Sequence, residues 1–175
     1  RPTCFLIVPL IIEKIYNSQI LGKFTANKFM SALYSVGFIR RYLHRIAGKK
    51  LTKAFGGRAR LFIGGSKLDE RVEKFLMEAR FPYAIGYGLT ETAPLLAGAA
   101  PSMVRLGSTG IVCPTVTLRL DNINPETGQG EIVAQSPSVM IGYYKNPEAT
   151  AEAIDADGWL HTGDLGYVKD EHSGY

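Results

Sequence analysis

Cysteine is scarce in this chain, and its two residues, Cys4 and Cys113, make neither a disulfide framework nor a metal-ligand spacing. A fold stapled by disulfides is thereby excluded, and cytosolic residence is the default expectation. Long apolar runs are also lacking. The longest, Cys4–Ile12, is interrupted by Pro9 and falls well short of the roughly 20 residues that span a bilayer. No initiator Met or signal-peptide layout precedes Arg1-Pro2-Thr3, and the sequence stops abruptly at Ser173-Gly174-Tyr175; both ends are read as cuts inside a longer protein. Internal repeats and low-complexity stretches are absent. Acidic residues are almost missing from one region: residues 1–60 carry twelve Lys/Arg and a single acid, Glu13, whereas residues 61–175 carry eight Lys/Arg and fifteen acids. A basic arm of this kind suits a solvated helix face, an anionic membrane surface or nucleic acid.

What remains is ordinary globular material, 46% apolar and 21% charged, enough for one sizeable core or two small packed subdomains. Residues 9–21 and 26–47 read as helices. In the second, Phe29, Leu33, Val36, Ile39 (or Arg40), Leu43 and Ile46 recur at three- and four-residue steps and define one face. Gly48, beside Lys49 and Lys50, reads as its C-terminal stop. Aromatic and basic residues mix here (Phe29, Tyr34, Phe38 and Tyr42 with Arg40, Arg41 and Arg45). An aromatic stripe at helical spacing is usually core, so nucleic acid is not expected as a partner.

Farther on, Arg60–Ile63 is a short strand ending at Gly64-Gly65. Asp69–Arg80 is helical, with Val72, Phe75, Leu76 and Ala79 on one face and acids at its positive N-terminal end. Tyr83–Ile85 is a second strand ending at Gly86. Strand, glycine turn, helix, strand is a βαβ unit, which predicts a parallel sheet with ligands gathered at the carboxyl ends of its strands. After residue 104 the texture turns to β: Thr115–Leu120 alternates, 124–130 is a turn cluster, and Glu131–Ala134 is another strand, together a hairpin. Asn146-Pro147-Glu148 starts a short helix. The expected fold is α/β: a parallel βαβ part with N-terminal helices over residues 1–103, then a small antiparallel, barrel-like β-rich subdomain over residues 104–175.

Three segments hold groups suited to nucleotide chemistry. Gly86-Tyr87-Gly88-Leu89-Thr90-Glu91-Thr92 places two glycines, an aromatic ring, a hydroxyl and a carboxylate at a strand end. Glycine admits close backbone approach, Tyr87 offers a face for a base, Thr90 a donor for phosphate, and Glu91 a hard oxygen ligand for Mg²⁺. The alternative is a plain turn whose Thr90 caps a helix. Thr162-Gly163-Asp164, inside Gly158–Gly166, offers a carboxylate for the two hydroxyls of a ribose; the alternative is a turn Asp that bonds its own backbone. Gly64-Gly65-Ser66-Lys67 presents backbone to a flat base, or is a simple strand-to-helix turn.

In this order the segments resemble the adenylate-forming superfamily of acyl-CoA synthetases, peptide-synthetase adenylation domains and beetle luciferases. Tyr87–Thr92 is similar to its central adenylate motif. Gly130-Glu131-Ile132 with Gly142–Thr150 resembles its GE…GY…NPEAT stretch, and Gly158–Gly166 its GW-HTGD-G motif. Arg1-Pro2-Thr3, Val8-Pro9 and Glu13–Tyr16 resemble the signature of the long-chain fatty acyl branch. The resemblance implies Tyr87 against adenine with Gly86 and Gly88 at its sides, and Thr90 and Glu91 as the catalytic pair at the α-phosphate and Mg²⁺. It implies Asp164 on the ribose, and Gly64, Gly65 and Ser66 bordering adenine and the acyl channel. The implied substrates are a fatty acid, ATP and CoA; the implied products of the first step are acyl-AMP and pyrophosphate. Another aryl- or acyl-CoA ligase, a peptide-synthetase domain, and a non-catalytic module with a basic arm are the alternatives. The family's phosphate loop, hinge motif and C-terminal catalytic Lys lie outside these 175 residues, so the piece alone is expected to be inactive. Gly64-Gly65-Ser66-Lys67-Leu68 stands where relatives usually read Gly-Gly-Ala-Pro-Leu, and Leu10 stands where the long-chain branch often has Arg. A cytoplasmic location with a peripheral contact at the inner membrane face, through the basic helices, is compatible with this reading.

Overall fold

The computed structural model describes residues 3–24, 27–58 and 60–169; Arg1-Pro2 of the N-terminal signature and the closing Ser173–Tyr175 lie outside them. The chain forms two compact units, one built from residues 1–85 and 99–107, the other from 86–98 and 108–175.

The first unit opens with strand β1 (Cys4–Ile7), an element the sequence reading left inside an undivided apolar run. Pro9 starts α1 (Pro9–Ile15) at its first position, where proline's missing N–H costs nothing. The helix continues through a π-helical turn (Tyr16–Leu21) into α2 (Gly22–Phe24), so the expected 9–21 helix is extended at its end. The expected 26–47 helix is two helices. They are α3 (Lys28–Ser35), capped by the Asn27 side chain accepting from Met30 N at 2.8 Å, and α4 (Gly37–Ala54). Val36, extended at ψ 115°, divides them. The break has a partner: it lets Tyr34 of α3 meet His44 of α4, with Tyr34 Oη 2.7 Å from His44 Nε2.

Two expectations fail on α4. Gly48 does not end it. Gly48 is buried in mid-helix, where a Cβ would stand 2.7 Å from Ala79 Cβ, so its role is close approach to a neighbour. The stop comes at Gly56 and Gly57, both at positive φ, with Gly57 N–H returning to Thr52 O at 2.8 Å. The aromatic stripe is not core either. Phe29 of α3 is 72% exposed, and Phe38 and Tyr42 of α4 are 75% and 64% exposed; on α4 the break at Val36 sets the helical phase so that His44, Gly48 and Leu51 turn inward instead.

Strand β2 (Arg60–Ile63) pairs in parallel with β1, from Cys4↔Arg60 to Ile7↔Ile63. Helix α5 (Glu70–Glu78) starts at Asp69, whose carboxylate accepts from Arg71 N at 2.8 Å. Strand β3 (Tyr83–Tyr87) pairs in parallel with β2, Leu61↔Tyr83 to Ile63↔Ile85. The expected parallel βαβ unit is therefore present, although β3 runs two residues farther than its reading and holds Gly86 in extended strand. Ile12, Tyr16, Leu61, Ile63, Val72, Phe75 and Leu76 form the core. Glu73 lies among them, 2% exposed. It accepts from Tyr83 Oη at 3.3 Å and from Gly107 N at 2.9 Å, which answers the demand of a buried carboxylate for donors. His44, equally buried, has Nδ1 2.7 Å from Glu78 Oε2, and Arg40 forks onto the same carboxylate at 3.0 and 3.2 Å.

In the second unit, Ala97 and Gly98 of β4 (Ala97–Ala99) pair antiparallel with β5 (Ile111–Val112). Then β6 (Thr117–Asp121) and β7 (Gly130–Gln135) form the predicted hairpin, its loop tightened by Asn124 Oδ1 accepting from Glu126 N at 2.8 Å. Helix α6 (Pro147–Ala153) starts where read, Asn146 Oδ1 accepting from Ala149 N at 3.0 Å. Strand β8 (Leu160–Gly166) adds antiparallel to β7. Val133, Ala134 and Leu160 are buried at this sheet's centre, and Arg119 covers the Trp159 ring at 4.2 Å.

Candidate functional site

The Tyr87–Thr92 segment leaves strand β3 and immediately turns. Thr90–Thr92 is one 3₁₀ turn, and Ala93 after it is left-handed at φ 48°. The turn is closed by Thr92, fully buried, whose hydroxyl accepts from Leu89 N at 3.0 Å and donates to Leu89 O at 2.9 Å. Chain direction then reverses, and Leu96 N–H bonds back to Tyr87 O at 2.8 Å. Gly88 is obliged by this reversal: a Cβ there would stand 1.7 Å from Pro94 O, so glycine is required by the fold itself, beyond any ligand. Thr90 is thus left exposed at the tip. Glu91 is anchored by its backbone, its carbonyl accepting from Met140 N at 2.7 Å.

Asp164 reaches the same unit by a different device. Thr162-Gly163-Asp164, expected as a glycine-flanked loop, lies inside the single strand β8 as a bulge. Glu131 faces Leu165 and Val133 faces His161, so residues 162–164 all stand opposite Ile132. Extra residues in one strand bend it and re-aim a side chain. Gly163 takes the left-handed conformation at φ 71° that this needs. Three bonds hold the bulge: Thr162 Oγ1 donates to Ile132 O at 2.7 Å and accepts from Asp164 N at 3.1 Å, and Gly163 N–H donates to Glu131 Oε1 at 3.1 Å. The other Glu131 oxygen lies 3.1 Å from His161 Nδ1. That contact, joined by the charges of Asp155 and Asp121, raises the His161 pKa above its ordinary value.

Two of the sequence-identified groups meet directly. Tyr87 Oη donates to Asp164 Oδ2 at 2.9 Å, across 77 residues of chain. The Asp164 carboxylate therefore bonds a phenol, and the reading in which it bonds its own backbone does not hold. Burial, partly countered by a bond from Thr162 and then reinforced by Asp164, pushes the Tyr87 pKa up to about 12, so the phenol remains a donor at neutral pH. Glu91 gains a partner that spacing did not reveal: Tyr143 Oη donates to Glu91 Oε1 at 2.9 Å. This bond is the chief cause of a raised Tyr143 pKa. Tyr143 and Glu131 both lie in segments quoted above for their resemblance, and that was the only sign of them in the sequence.

Gly64, Gly65 and Ser66 belong to the first unit, Gly86, Tyr87, Gly88, Thr90, Glu91 and Asp164 to the second. Gly65 sits at φ 94°, a requirement for glycine that the strand-to-helix turn imposes. Among the described residues no group of three or more His, Cys, Asp or Glu could by itself hold a metal ion. Glu91 remains a fit ligand for Mg²⁺, which takes one or two protein carboxylates and completes its shell with phosphate oxygens and water: its carboxylate is half-exposed and its backbone is pinned.

Residues 1–144 match the family described as AMP-binding enzyme. Probable 4-coumarate–CoA ligase 1 of Dictyostelium discoideum is 40% identical over 121 residues, covering 63% of this chain and 22% of that protein. 4-Coumarate–CoA ligase 2 of Oryza sativa subsp. japonica is 41% identical over 123 residues, covering 62% and 21%. The chain thus spans about a fifth of the length of these curated relatives. Among solved structures, a malonyl-CoA ligase product complex with methylmalonyl-CoA and AMP superposes at TM-score 0.66 with 24% identity, over 98% of this chain and 32% of that one. O-Succinylbenzoate CoA synthetase from Bacillus subtilis, with ATP and magnesium ion, gives 0.64 with 20% identity, over 98% and 30%. These likenesses fix the fold, which is shared with about a third of each of those ligase chains. The long-chain fatty acyl branch finds no support in these relatives, which are CoA ligases for other acids. With residues 1–144 matched to its model and the fold shared with solved CoA ligases, this chain belongs to the AMP-binding enzyme family.

Proposed function

We propose that this chain carries the adenylate-holding part of an AMP-forming CoA ligase. The observation that carries the reading is the Tyr87–Asp164 bond, which sets an aromatic ring and a carboxylate side by side. A nucleoside offers the matching pair, a flat base and a vicinal diol. In this reading the Tyr87 ring lies on adenine. Asp164 accepts from the ribose hydroxyls with its remaining lone pairs, and Thr90 donates to the α-phosphate. Glu91 holds Mg²⁺, which when bound neutralises phosphate charge. The substrate carboxylate attacks the α-phosphorus of ATP, the bond to the bridging oxygen breaks, and pyrophosphate leaves. CoA thiolate then attacks the acyl carbonyl and expels AMP. The residues named here position and polarise; none forms a bond to the substrate.

The acid is read from the relatives. Proteins named as 4-coumarate–CoA ligases, 36–41% identical, favour an aromatic or other non-fatty acid. A long-chain fatty acid is the second reading, favoured by Glu13–Tyr16 and the residues before it. Exchange of labelled pyrophosphate into ATP by the full protein carrying this chain, with 4-coumarate or a sixteen-carbon fatty acid in parallel, separates the two. Exchange with neither acid, nor with a panel of short and aryl acids, would sink the ligase reading.

A further inference from the structure

We infer that the outer face of α4 docks on an anionic phospholipid surface. This goes beyond the ligase reading and does not depend on it. Positions 38, 42 and 46 of α4 follow one another at four-residue steps and form a ridge. Its members are Phe38, Tyr42 and Ile46, 75%, 64% and 39% exposed. Arg41, Arg45, Lys49, Lys50 and Lys53 stand at three- and four-residue steps on the same side, all exposed. No Asp, Glu, Asn or Gln occurs anywhere in Gly37–Ala54. The inward side of the helix is neutralised separately, Arg40 and His44 both meeting Glu78. Among the described residues the five outer cations have no ion-pair partner. Glu13, the one acid of the first sixty residues, has its carboxylate on Asp69 N at 3.1 Å.

A face held in water usually mixes charge signs; the charges on this one are all positive. An apolar ridge lined by cations matches a bilayer surface in layers: Phe38 and Ile46 at the acyl boundary, Tyr42 at headgroup depth, Arg and Lys on phosphate oxygens. Nucleic acid would meet the cations but leave Phe38 and Ile46 without a partner, and α4 has no side-chain amide to read a base edge. No described helix is long and apolar enough to cross a membrane, so the mode is lying on the surface.

The test is co-sedimentation of the full protein carrying this chain with vesicles of phosphatidylcholine alone or mixed with phosphatidylglycerol, at low and high salt. Binding is expected to the mixed vesicles only and to fall at 0.5 M salt. Arg41→Gln with Arg45→Gln is expected to weaken it about thirtyfold, from about 1 kcal/mol per cation. Phe38→Ser with Tyr42→Ser is expected to weaken it at every salt concentration. Melting temperature and pyrophosphate exchange should be unchanged in both double variants, which keeps the outcome separate from that of the ligase reading. Absence of binding, equal binding to neutral vesicles, binding indifferent to both double variants, or binding to duplex DNA in place of vesicles would each overturn the inference.

Discussion

At the scale of single residues, the proposed nucleotide site turns on the bulge in β8. Glu131 supplies one acceptor to Gly163 N–H and another to His161, and Tyr87 meets the aspartate that the bulge aims. Asp164→Ala should lower affinity for AMP more than Tyr87→Phe. The first removes charged acceptors, each hydrogen bond to which contributes about 1.5–3 kcal/mol, and the second only one donor to the carboxylate. Calorimetric titration of the full protein checks the order, and equal losses would show that the phenol acts mainly by orienting Asp164. Gly88→Ala is a different kind of lesion. Its Cβ collides with Pro94 O, so the Thr90–Thr92 turn must shift, and both thermal stability and nucleotide affinity should drop together. A drop in affinity alone would put the demand for glycine on the ligand side.

At the scale of elements, helix starts were legible and helix breaks were not. Asp69 and Asn146 announce α5 and α6 because a cap is a local side chain-to-backbone bond, written within three residues. The break at Val36 and the burial of Gly48 depend on partners far along the chain, His44 for one and Ala79 for the other, which periodicity cannot see. Strand β1 was hidden for the same reason: four apolar residues become a strand only because β2, more than fifty residues later, pairs with them. The site shows the same division. Tyr87, Thr90, Glu91 and Asp164 stand in short motifs, whereas the Tyr143–Glu91 bond spans 52 residues and belongs to the tertiary structure. Gly48→Val tests the close approach of α4: overpacking there should cost about 1–3 kcal/mol, read as a lower urea midpoint with unchanged slope.

Over the whole molecule, two histidines pull the pH dependence of stability in opposite directions. Burial lowers the His44 pKa despite Glu78 beside it. Its share of stability is therefore present above the unfolded value of about 6.5 and is lost as pH falls through the lowered folded value. His161 is raised, chiefly by Glu131. Its share is present below about 6.5 and is lost as pH rises through the raised folded value. His44→Gln should flatten the acid limb of a plot of melting temperature against pH, and Glu131→Gln the limb above pH 6.5. An acid limb unchanged in His44→Gln would assign that limb to carboxylates such as Glu78, whose pKa is raised by burial but brought below its ordinary value by Arg40 and His44. The buried Glu73 has a consequence of another sort. It ties Tyr83 to Gly107, while residues 86–98 between them belong to the other unit. During synthesis the first unit therefore cannot close until residue 107 has left the ribosome. By then the Tyr87–Thr92 segment has already emerged, and it must wait for β8 to be made before Asp164 can meet it.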